Sequence, residues 1–368
     1  MRDYRKEKKA MKKVCFRILV FLAGLVFCVP ALAVNEDVEG ELVIYTSMYA
    51  NVVEMMDEAL KAEFPNLTPG NGGSFFFRSG SGQLITKIYG EMGDGRNQAL
   101  GCDMLMVAEP AFSLELKEYD YLHSFALEDA ENLLRFPYDP DGTWYPVRVC
   151  NMVLAYDPEM KDTWANEGIT VPKTFRDFAY DPSLKGYISM GDPATSGTSY
   201  AAVVALTDKY GEEYLDKLRE NNVKRDSGPQ AIASLQGKDC AVLMTLEETV
   251  LNYIGDEAAK GNTNPNVEII YPEDGVVLIP SNVMIVAEEF SKNANIDAAE
   301  AVAQWFLSPE GQAMIVKGNM HSTLKNVGEP AGSVSTDELI GKDIGVDWEK
   351  AYRDREAILE LWARKVTQ

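Results

Sequence analysis

The chain is poor in cysteine, histidine and basic residues. Its 368 residues include five cysteines and two histidines, and 35 Lys and Arg stand against 57 Asp and Glu, which gives a formal net charge of −22. Few cysteines exclude a fold held together by a framework of disulfides. The excess of negative charge argues against nucleic acid and anionic membranes as partners. Beyond residue 33, no apolar run is long enough to span a bilayer.

The first 33 residues have the pattern of a secretory signal peptide. A basic stretch, residues 1–17, precedes a twelve-residue apolar run at 18–29, which is followed by Pro30 and the small-residue sequence ALA at 31–33. A basic region, a short apolar region and an A-x-A site predict cleavage after Ala33 and a periplasmic location. Residues 34–368 would then form the mature protein, which is long enough for two lobes of ordinary size.

Two alternatives stay open in this segment. Translation from Met11 would still give a complete basic region ahead of the apolar run. Cys28 would carry a lipid anchor if the segment were a lipoprotein signal, but Phe27 argues against this reading because a small residue normally precedes the lipidated cysteine.

Beyond the signal, Cys102, Cys150 and Cys240 lie at or beside predicted strands. One disulfide among the three is possible, although buried free cysteines are favoured.

Strand and helix patterns alternate along the first third of the mature chain. Residues 41–47, 74–79 and 102–109 read as strands, and the periodicity of 49–64 and 81–92 predicts amphipathic helices. Such alternation predicts a mainly parallel sheet with helices on both faces. Because ligands of open α/β sheets bind beyond the carboxyl ends of the strands, the pattern directs attention to Thr46, Ser47, Arg78, Ser79, Gly80, Ser81 and Glu109.

A second alternation begins near residue 145. The expected strands are 147–156, 187–192, 240–245 and two within 267–287, where Pro272 and Gly275 interrupt the pattern. The expected helices are 174–180, 195–210, one beginning near Ser227, 247–259, 297–307, 308–317 and 347–365.

Two segments share one chemistry. SGSGQL at 79–84 and TSGTSY at 195–200 each follow a strand and open a helix with small hydroxyl residues and glycine. Helix N-termini carry free backbone N–H groups and partial positive charge, so the two turns could together hold an anion. Ordinary N-capping is the alternative for each. With Asp192 and Glu247 added, the predicted ligand-binding residues are Thr46, Ser47, Arg78, Ser79, Gly80, Ser81, Glu109, Asp192, Thr195, Ser196, Gly197, Thr198 and Glu247.

Several of these side chains also have plain structural explanations. Glu109 and Glu247 each lie near a helix start, where an acid stabilises the helix dipole without touching a ligand. Arg148 lies in a predicted strand, where its charge needs a partner. The two histidines, His123 and His321, belong to no catalytic motif, and the sequence has no P-loop lysine, HExxH or nucleophile elbow. We therefore expect no catalytic residue, no metal site and no cofactor.

The order of several motifs identifies a resemblance. VIYTS (43–47), FRSGSGQL (77–84), DMLMVAEPAF (103–112), GDPATSGTSYAAVVAL (191–206), IIYPEDGVVLIPSNVMIVA (269–287) and AVAQWFLSPEGQ (301–312) resemble landmarks of family 1 bacterial extracellular solute-binding proteins. They are most similar to the branch that binds ferric iron, polyamine-like cations, 2-aminoethylphosphonate or hexose phosphates. The resemblance implies a two-lobed periplasmic-binding-protein fold of type II, each lobe a mainly parallel sheet flanked by helices. By analogy, the first lobe comprises 34–146 and 278–322, and the second comprises 147–277 and 323–368.

The resemblance also implies a role and a class of ligand. A monomer would hold a small molecule between the lobes and deliver it to the permease and ATPase of an ABC importer in the inner membrane. Iron-binding members carry paired tyrosines after the strand that is CAVLMT here, but this chain has TLEETVLNY with Tyr253 alone. A phosphorylated or phosphonylated solute is therefore favoured, with iron or a polyamine as the alternative and an exported hydrolase as a more distant one.

Overall fold

The structure, a computed structural model, describes residues 35–367 except 227 and 264. The signal peptide, the alternative start and the lipidation site expected from the sequence lie outside the described residues. From Glu36 onward the chain forms one compact unit. No helix in the described part of the chain is long and apolar enough to cross a membrane.

Most of the described strands join one mixed sheet of ten strands in the order β4-β2-β5-β12-β7-β10-β8-β9, with β6 paired to β12 and β11 paired to β7. Strands β1 and β3 form a separate parallel pair. The strands are β1 (Gly40–Leu42), β2 (Ile44–Thr46), β3 (Leu67–Pro69), β4 (Phe76–Arg78), β5 (Met104–Val107), β6 (Leu122–His123), β7 (Trp144–Tyr156), β8 (Ile188–Met190), β9 (Lys224–Arg225), β10 (Val242–Leu246), β11 (Glu268–Ile270) and β12 (Val277–Val286).

The two flanks of the sheet are parallel and its centre is antiparallel. Strands β4, β2 and β5 run parallel on one flank, and β10, β8 and β9 do so on the other. The long strands β7 and β12 pair antiparallel between them, with a register shift between Ser281 and Asn282. Both are almost wholly buried, which agrees with their mostly apolar sequences. These two strands connect the flanks.

The helices cover the sheet on both sides. They are α1 (Ala50–Glu63), α2 (Ser81–Met92), α3 (Pro110–Glu118), α4 (Ala130–Leu133), α5 (Lys161–Asn166), α6 (Phe175–Tyr180), α7 (Gly197–Tyr210), α8 (Glu213–Glu220), α9 (Gly228–Gln236), α10 (Glu247–Ala259), α11 (Ile296–Phe306), α12 (Pro309–Lys317), α13 (Thr336–Ile340), α14 (Trp348–Arg353) and α15 (Arg355–Trp362). Single 3₁₀ turns occupy Pro158–Met160 and Pro182–Leu184, and a π-helical turn occupies Ala363–Thr367.

Two predicted elements are divided in the structure. The strand expected at 41–47 breaks at Val43, whose backbone N–H donates to the carboxylate of Asp103 at 2.7 Å, so β1 and β2 belong to different sheets. The single helix expected at 347–365 is wrong in the same way, because Asp354 leaves helical geometry (ψ 14°) and separates α14 from α15. The alternation of apolar and polar residues in the sequence does not reveal either break.

Separate hydrophobic cores lie on the two flanks. The first-lobe core takes its buried side chains from residues 42–147 and 283–324. The second-lobe core takes nearly all of them from 150–279 and adds Trp362 near the end of the chain. The lobe boundaries given above stay a prediction. Cys102, Cys150 and Cys240 are free and buried, as favoured over a disulfide.

Candidate functional site

A cavity of about 350 Å³ lies between the two cores. Residues that follow β2, β4 and β5 line it from the first lobe, and residues that follow β8, β9 and β10 line it from the second. This is the position that strand ends of an open α/β sheet favour for a ligand. Its lining is Ser47, Met48, Tyr49, Arg78, Ser79, Gly80, Ser81, Gln83, Ala108, Arg148, Met152, Gly191, Thr195, Ser196, Thr198, Ser199, Asp226, Ala231, Met244, Thr245, Leu246, Glu248 and Thr249.

Three helices begin at this cavity. Helix α2 starts after Gly80 and α10 starts after Leu246, and neither of these N-cap residues offers a side-chain cap. Helix α7 starts after Ser196, whose side chain accepts a hydrogen bond from the Ser199 N–H at 3.3 Å. Uncapped first-turn N–H groups and the helix dipoles favour a negatively charged group in the space they face.

The two lobes touch directly at this cavity. The Gly197 N–H donates to Ser81 Oγ at 2.9 Å, and Asn51 Nδ2 donates to Asn252 Oδ1 at 3.0 Å. Helix α2 passes so close to the backbone of Thr195 that a Cβ atom on Gly82 would lie 2.5 Å from the Thr195 carbonyl group. The structure therefore shows the lobes closed on each other.

The charged groups of the cavity differ in their freedom to meet a ligand. Arg78 is exposed and Asp226 is half-buried. Arg148 and Glu248 are only 1% and 2% exposed and pair with each other at 2.6 Å. Burial raises the pKa of Glu248, and the positive charge of Arg148 opposes this rise. Since Glu248 already neutralises Arg148, Arg78 is the arginine of the described lining whose charge is available to an anionic ligand.

The structure brings most of the predicted site residues together. Of these residues, Ser47, Arg78, Ser79, Gly80, Ser81, Thr195, Ser196 and Thr198 line the cavity. Thr46, Glu109, Asp192, Gly197 and Glu247 do not belong to its lining.

The predicted residues outside the lining have partners of their own. Thr46 is fully buried and its hydroxyl donates to the Met106 carbonyl. Asp192 accepts from the Ala194 N–H at 3.0 Å and pairs with Arg225 at 3.3 Å. The environments of Glu109 and Glu247 are more unusual, because both carboxylates are almost completely buried.

Glu247 belongs to a buried polar network behind the cavity. Its Oε2 atom accepts from Asn151 Nδ2 at 2.9 Å and lies 2.9 Å from Nε2 of His321, and its Oε1 atom accepts from the hydroxyl of Tyr271. Burial alone would raise the pKa of Glu247, but the hydrogen bond and charge of His321 outweigh burial and lower it. The network fixes the start of α10 to β7 and to the segment after α12.

The lowered pKa of Glu247 predicts a loss of stability in acid. A carboxyl group with a lowered folded-state pKa stabilises the fold above its ordinary pKa and loses that contribution as the pH falls below about 4.5. We expect Glu247→Gln to lower the free energy of unfolding at pH 7 by about 1.5–3 kcal/mol. The variant should also flatten the decline in acid, as measured by urea unfolding from pH 7 to 3. Glu338→Gln, whose carboxylate is exposed, is the control, and equal behaviour of the two variants would contradict this role.

Sequence reasoning missed part of the lining. Tyr49, Asp226, Thr245, Glu248 and Thr249 line the cavity but are absent from the ligand-binding residues predicted above. The rule that ligands meet strand ends could have found Thr245 and Thr249, because Thr245 lies at the carboxyl end of β10 and Thr249 lies in the first turn of the helix that follows it. No local signal marks Tyr49, which the sequence shows only as the start of an amphipathic helix. In the described part of the chain, no group of three or more His, Cys, Asp or Glu side chains is arranged to hold a metal ion.

Several solved structures share this fold. One is AfuA from Actinobacillus pleuropneumoniae with exogenous fructose-6-phosphate bound, which is 22% identical with a TM-score of 0.72 over 89% of this chain and 99% of that chain. Another is iron-bound HitA from Pseudomonas aeruginosa, which is 19% identical with a TM-score of 0.71 over 89% and 99% of the two chains. An uncharacterized protein of Haemophilus influenzae is 25% identical over 91% of this chain and 93% of its own length.

The chain belongs to the family of bacterial extracellular solute-binding proteins, whose sequence pattern matches residues 103–344. The resemblance described from the motifs is thereby confirmed, and so is the two-lobed fold. The protein is a solute-binding protein of the kind that serves ABC transporters.

Proposed function

We propose that this protein is a periplasmic receptor for a small phosphorylated or phosphonylated organic solute. It holds the solute between its lobes and delivers it to the permease and ATPase of an ABC importer without chemical change. One observation carries the proposal: the first turns of α2, α7 and α10 meet at one cavity between the two cores. Three helix N-termini at one cavity favour a dianionic group more than a neutral or cationic one.

The side chains around these turns support the same ligand group. Ser79, Ser81, Thr195 and Ser196 place hydroxyl groups in the lining, and Arg78 adds an exposed positive charge. Hydroxyls, backbone N–H groups and a guanidinium are the donors that phosphate and phosphonate oxygens accept from. AfuA, which shares the fold, is bound to fructose-6-phosphate. Tyr49 and Thr245 add polar groups to the lining, which suit hydroxyl or amine groups on the rest of the solute.

The donors of this cavity suit the other candidate ligands less well. HitA is an iron-bound relative in fold, but ferric ion needs several anionic oxygen ligands. The described lining of this cavity includes one tyrosine, Tyr49. Burial raises the pKa of its phenol, which disfavours the phenolate that would bind iron. A polyamine needs several unpaired carboxylates, whereas the lining holds Glu248, which pairs with Arg148, and Asp226, which accepts a hydrogen bond from Ser189. The phosphorylated solute is therefore the better match.

A titration panel tests the proposal. Calorimetry should show binding of fructose 6-phosphate or 2-aminoethylphosphonate, and no comparable binding of spermidine or ferric citrate. Arg78→Met should weaken the phosphorylated probe at least about tenfold, because a hydrogen bond to a charged group contributes about 1.5–3 kcal/mol. Since Arg78 is exposed, the melting temperature of the ligand-free variant should stay unchanged.

Arg219→Met is the matched control for Arg78→Met. Arg219 is also an exposed arginine, but it pairs with Asp216 on α8 and does not line the cavity. Its replacement should leave the affinity unchanged. Tight binding of spermidine or ferric citrate with no phosphorylated probe bound would reject the proposed ligand class. Hydrolysis of a phosphate ester by the purified protein would reject the role of a receptor.

A further inference from the structure

The end of the chain forms a strap over the second lobe. This C-terminal strap, residues 347–367, comprises α14, α15 and the π-helical turn. Trp362 anchors it in the second-lobe core, where its side chain is 2% exposed. Lys365 adds an ion pair with Asp216 of α8 at 2.8 Å. The strap therefore belongs to the second lobe.

The same strap also reaches the first lobe. Arg353 pairs with Glu118 of α3 at 2.6 Å on the surface, and Arg355 pairs with Glu109, the residue before α3. On the same strap, the carbonyl of Ala351 accepts a hydrogen bond from the Tyr200 hydroxyl of α7 at 2.5 Å. First lobe, strap and α7 thus meet at one place behind the cavity.

Glu109 is buried by residues of the opposite lobe. Its side chain is 0% exposed. The Oε1 atom pairs with Arg355, and the Oε2 atom has no hydrogen-bond partner among the described residues. Oε2 lies so close to Gly197 at the start of α7 that a Cβ atom on Gly197 would collide with it. Separation of the lobes would therefore expose this carboxylate to water.

We propose that Arg355 and Glu109 form a latch that allows the two lobes to close. The carboxylate of Glu109 must leave water when α7 arrives, and a buried charge without a partner is strongly unfavourable. Arg355 supplies the compensating charge from the strap. Arg355 is thus a positioning residue for ligand capture, although it does not line the cavity.

The charges around Glu109 give the latch a signature in its pH dependence. Arg355 faces it from the strap, Tyr200 from α7 and Tyr89 from α2, and Glu115 follows it on α3. Burial raises the pKa of Glu109, and Arg355 opposes this rise. Without Arg355, closure would favour the protonated carboxyl group. Closure of an Arg355→Met variant should then become more favourable as the pH falls, because the closed state binds the additional proton.

Amide hydrogen exchange at Gly197 in the ligand-free protein measures closure directly. The Gly197 N–H donates to Ser81 Oγ of the opposite lobe at 2.9 Å, so its exchange reports the ratio of closed to open molecules. In Arg355→Met this amide should exchange at least about tenfold faster at neutral pH, since loss of one partner of a buried ion pair is strongly destabilising. The double variant Arg355→Met/Glu109→Gln should recover most of the protection. Lower pH should also restore protection in the single variant.

Two internal controls separate the latch from general loss of structure. The Ser199 N–H donates to Ser196 Oγ within the second lobe, so its protection should not change. Arg353→Met also removes an ion pair between the strap and the first lobe, but Arg353 and Glu118 are 56% and 45% exposed, and we expect little effect. Equal exchange of Gly197 in wild type and Arg355→Met, or failure of Glu109→Gln to restore protection, would overturn the latch.

A binding measurement on the same variant connects the latch to the proposed function. The affinity for fructose 6-phosphate should fall in Arg355→Met in proportion to the closed fraction of the ligand-free molecules, as calculated from the exchange at Gly197. This binding measurement rests on the proposed function, whereas the exchange measurement does not. If wild type fails to bind fructose 6-phosphate, the ligand proposal loses that probe and the exchange at Gly197 still decides the latch.

Discussion

Replacement of Gly82 by alanine is expected to abolish closure while leaving each lobe folded. In the closed structure the new Cβ atom would lie 2.5 Å from the backbone carbonyl of Thr195, which cannot move aside like a flexible side chain. Overpacking of this kind costs about 1–3 kcal/mol, and we expect the affinity for fructose 6-phosphate to fall on the order of a hundredfold. Small-angle scattering should show the variant open under conditions where wild type closes.

The stability of the Gly82→Ala variant should change in the opposite direction. Gly82 lies in the first turn of α2, and alanine favours a helix over glycine by about 1 kcal/mol. The ligand-free variant should therefore melt at the same temperature as wild type or higher. Gly90→Ala is the matched control, because it lies in the same helix and a Cβ atom there would meet no atom within 4 Å. Wild-type affinity in Gly82→Ala would show that binding does not require the two turns to meet.

Loss of Arg148 is expected to cause the largest loss of stability. Arg148 lies on the central strand β7, and its partner Glu248 lies in the first turn of α10. Arg148→Met would leave the Glu248 carboxylate buried without its counterion, which should lower the free energy of unfolding by about 3–5 kcal/mol. Urea unfolding followed by circular dichroism at pH 7 measures this change.

A double variant distinguishes the unpaired charge from loss of packing. Arg148→Met/Glu248→Met replaces the ion pair with apolar side chains, and such replacements are often neutral or stabilising. We therefore expect the double variant to be more stable than Arg148→Met alone. Lys173→Met is the control, because Lys173 and Glu273 are 74% and 68% exposed and such a pair contributes little. If Arg148→Met and Lys173→Met had equal effects, the buried pair would not stabilise the fold.

Local sequence signals predicted most elements of this fold. Helices α2 and α10 begin and end where periodicity and turn residues placed them. The antiparallel pairing of β7 with β12 was not predicted from the pattern, because an apolar strand reads the same whichever direction its neighbour runs. The break at Asp354 is also a tertiary effect. Arg353 and Arg355 on either side of it turn to Glu118 and Glu109, which lie far away in the sequence.

The parts of the candidate site that could be predicted are those in which one short segment contains all the ligand-binding groups. The turns at 79–81 and 195–198 combine a strand end with a helix start, and both lie at the cavity. The two explanations weighed for Ser196 are compatible, since it caps α7 and lines the cavity at once. Glu109 and Glu247 could not be placed from sequence. Their partners Arg355 and His321 come from distant segments, and a buried carboxylate looks like an exposed one in a single sequence.

The discontinuity of the two cores has a consequence for the order in which the chain can fold. The first-lobe core needs residues 283–324 in addition to 42–147, and the second-lobe core needs Trp362. A chain that emerges from a ribosome or a translocation pore with its N-terminus first cannot complete the first core until about nine-tenths of its length is released. The second core waits for almost the final residue. Both halves therefore complete their cores late in synthesis, and a chain truncated before residue 283 would have neither core complete.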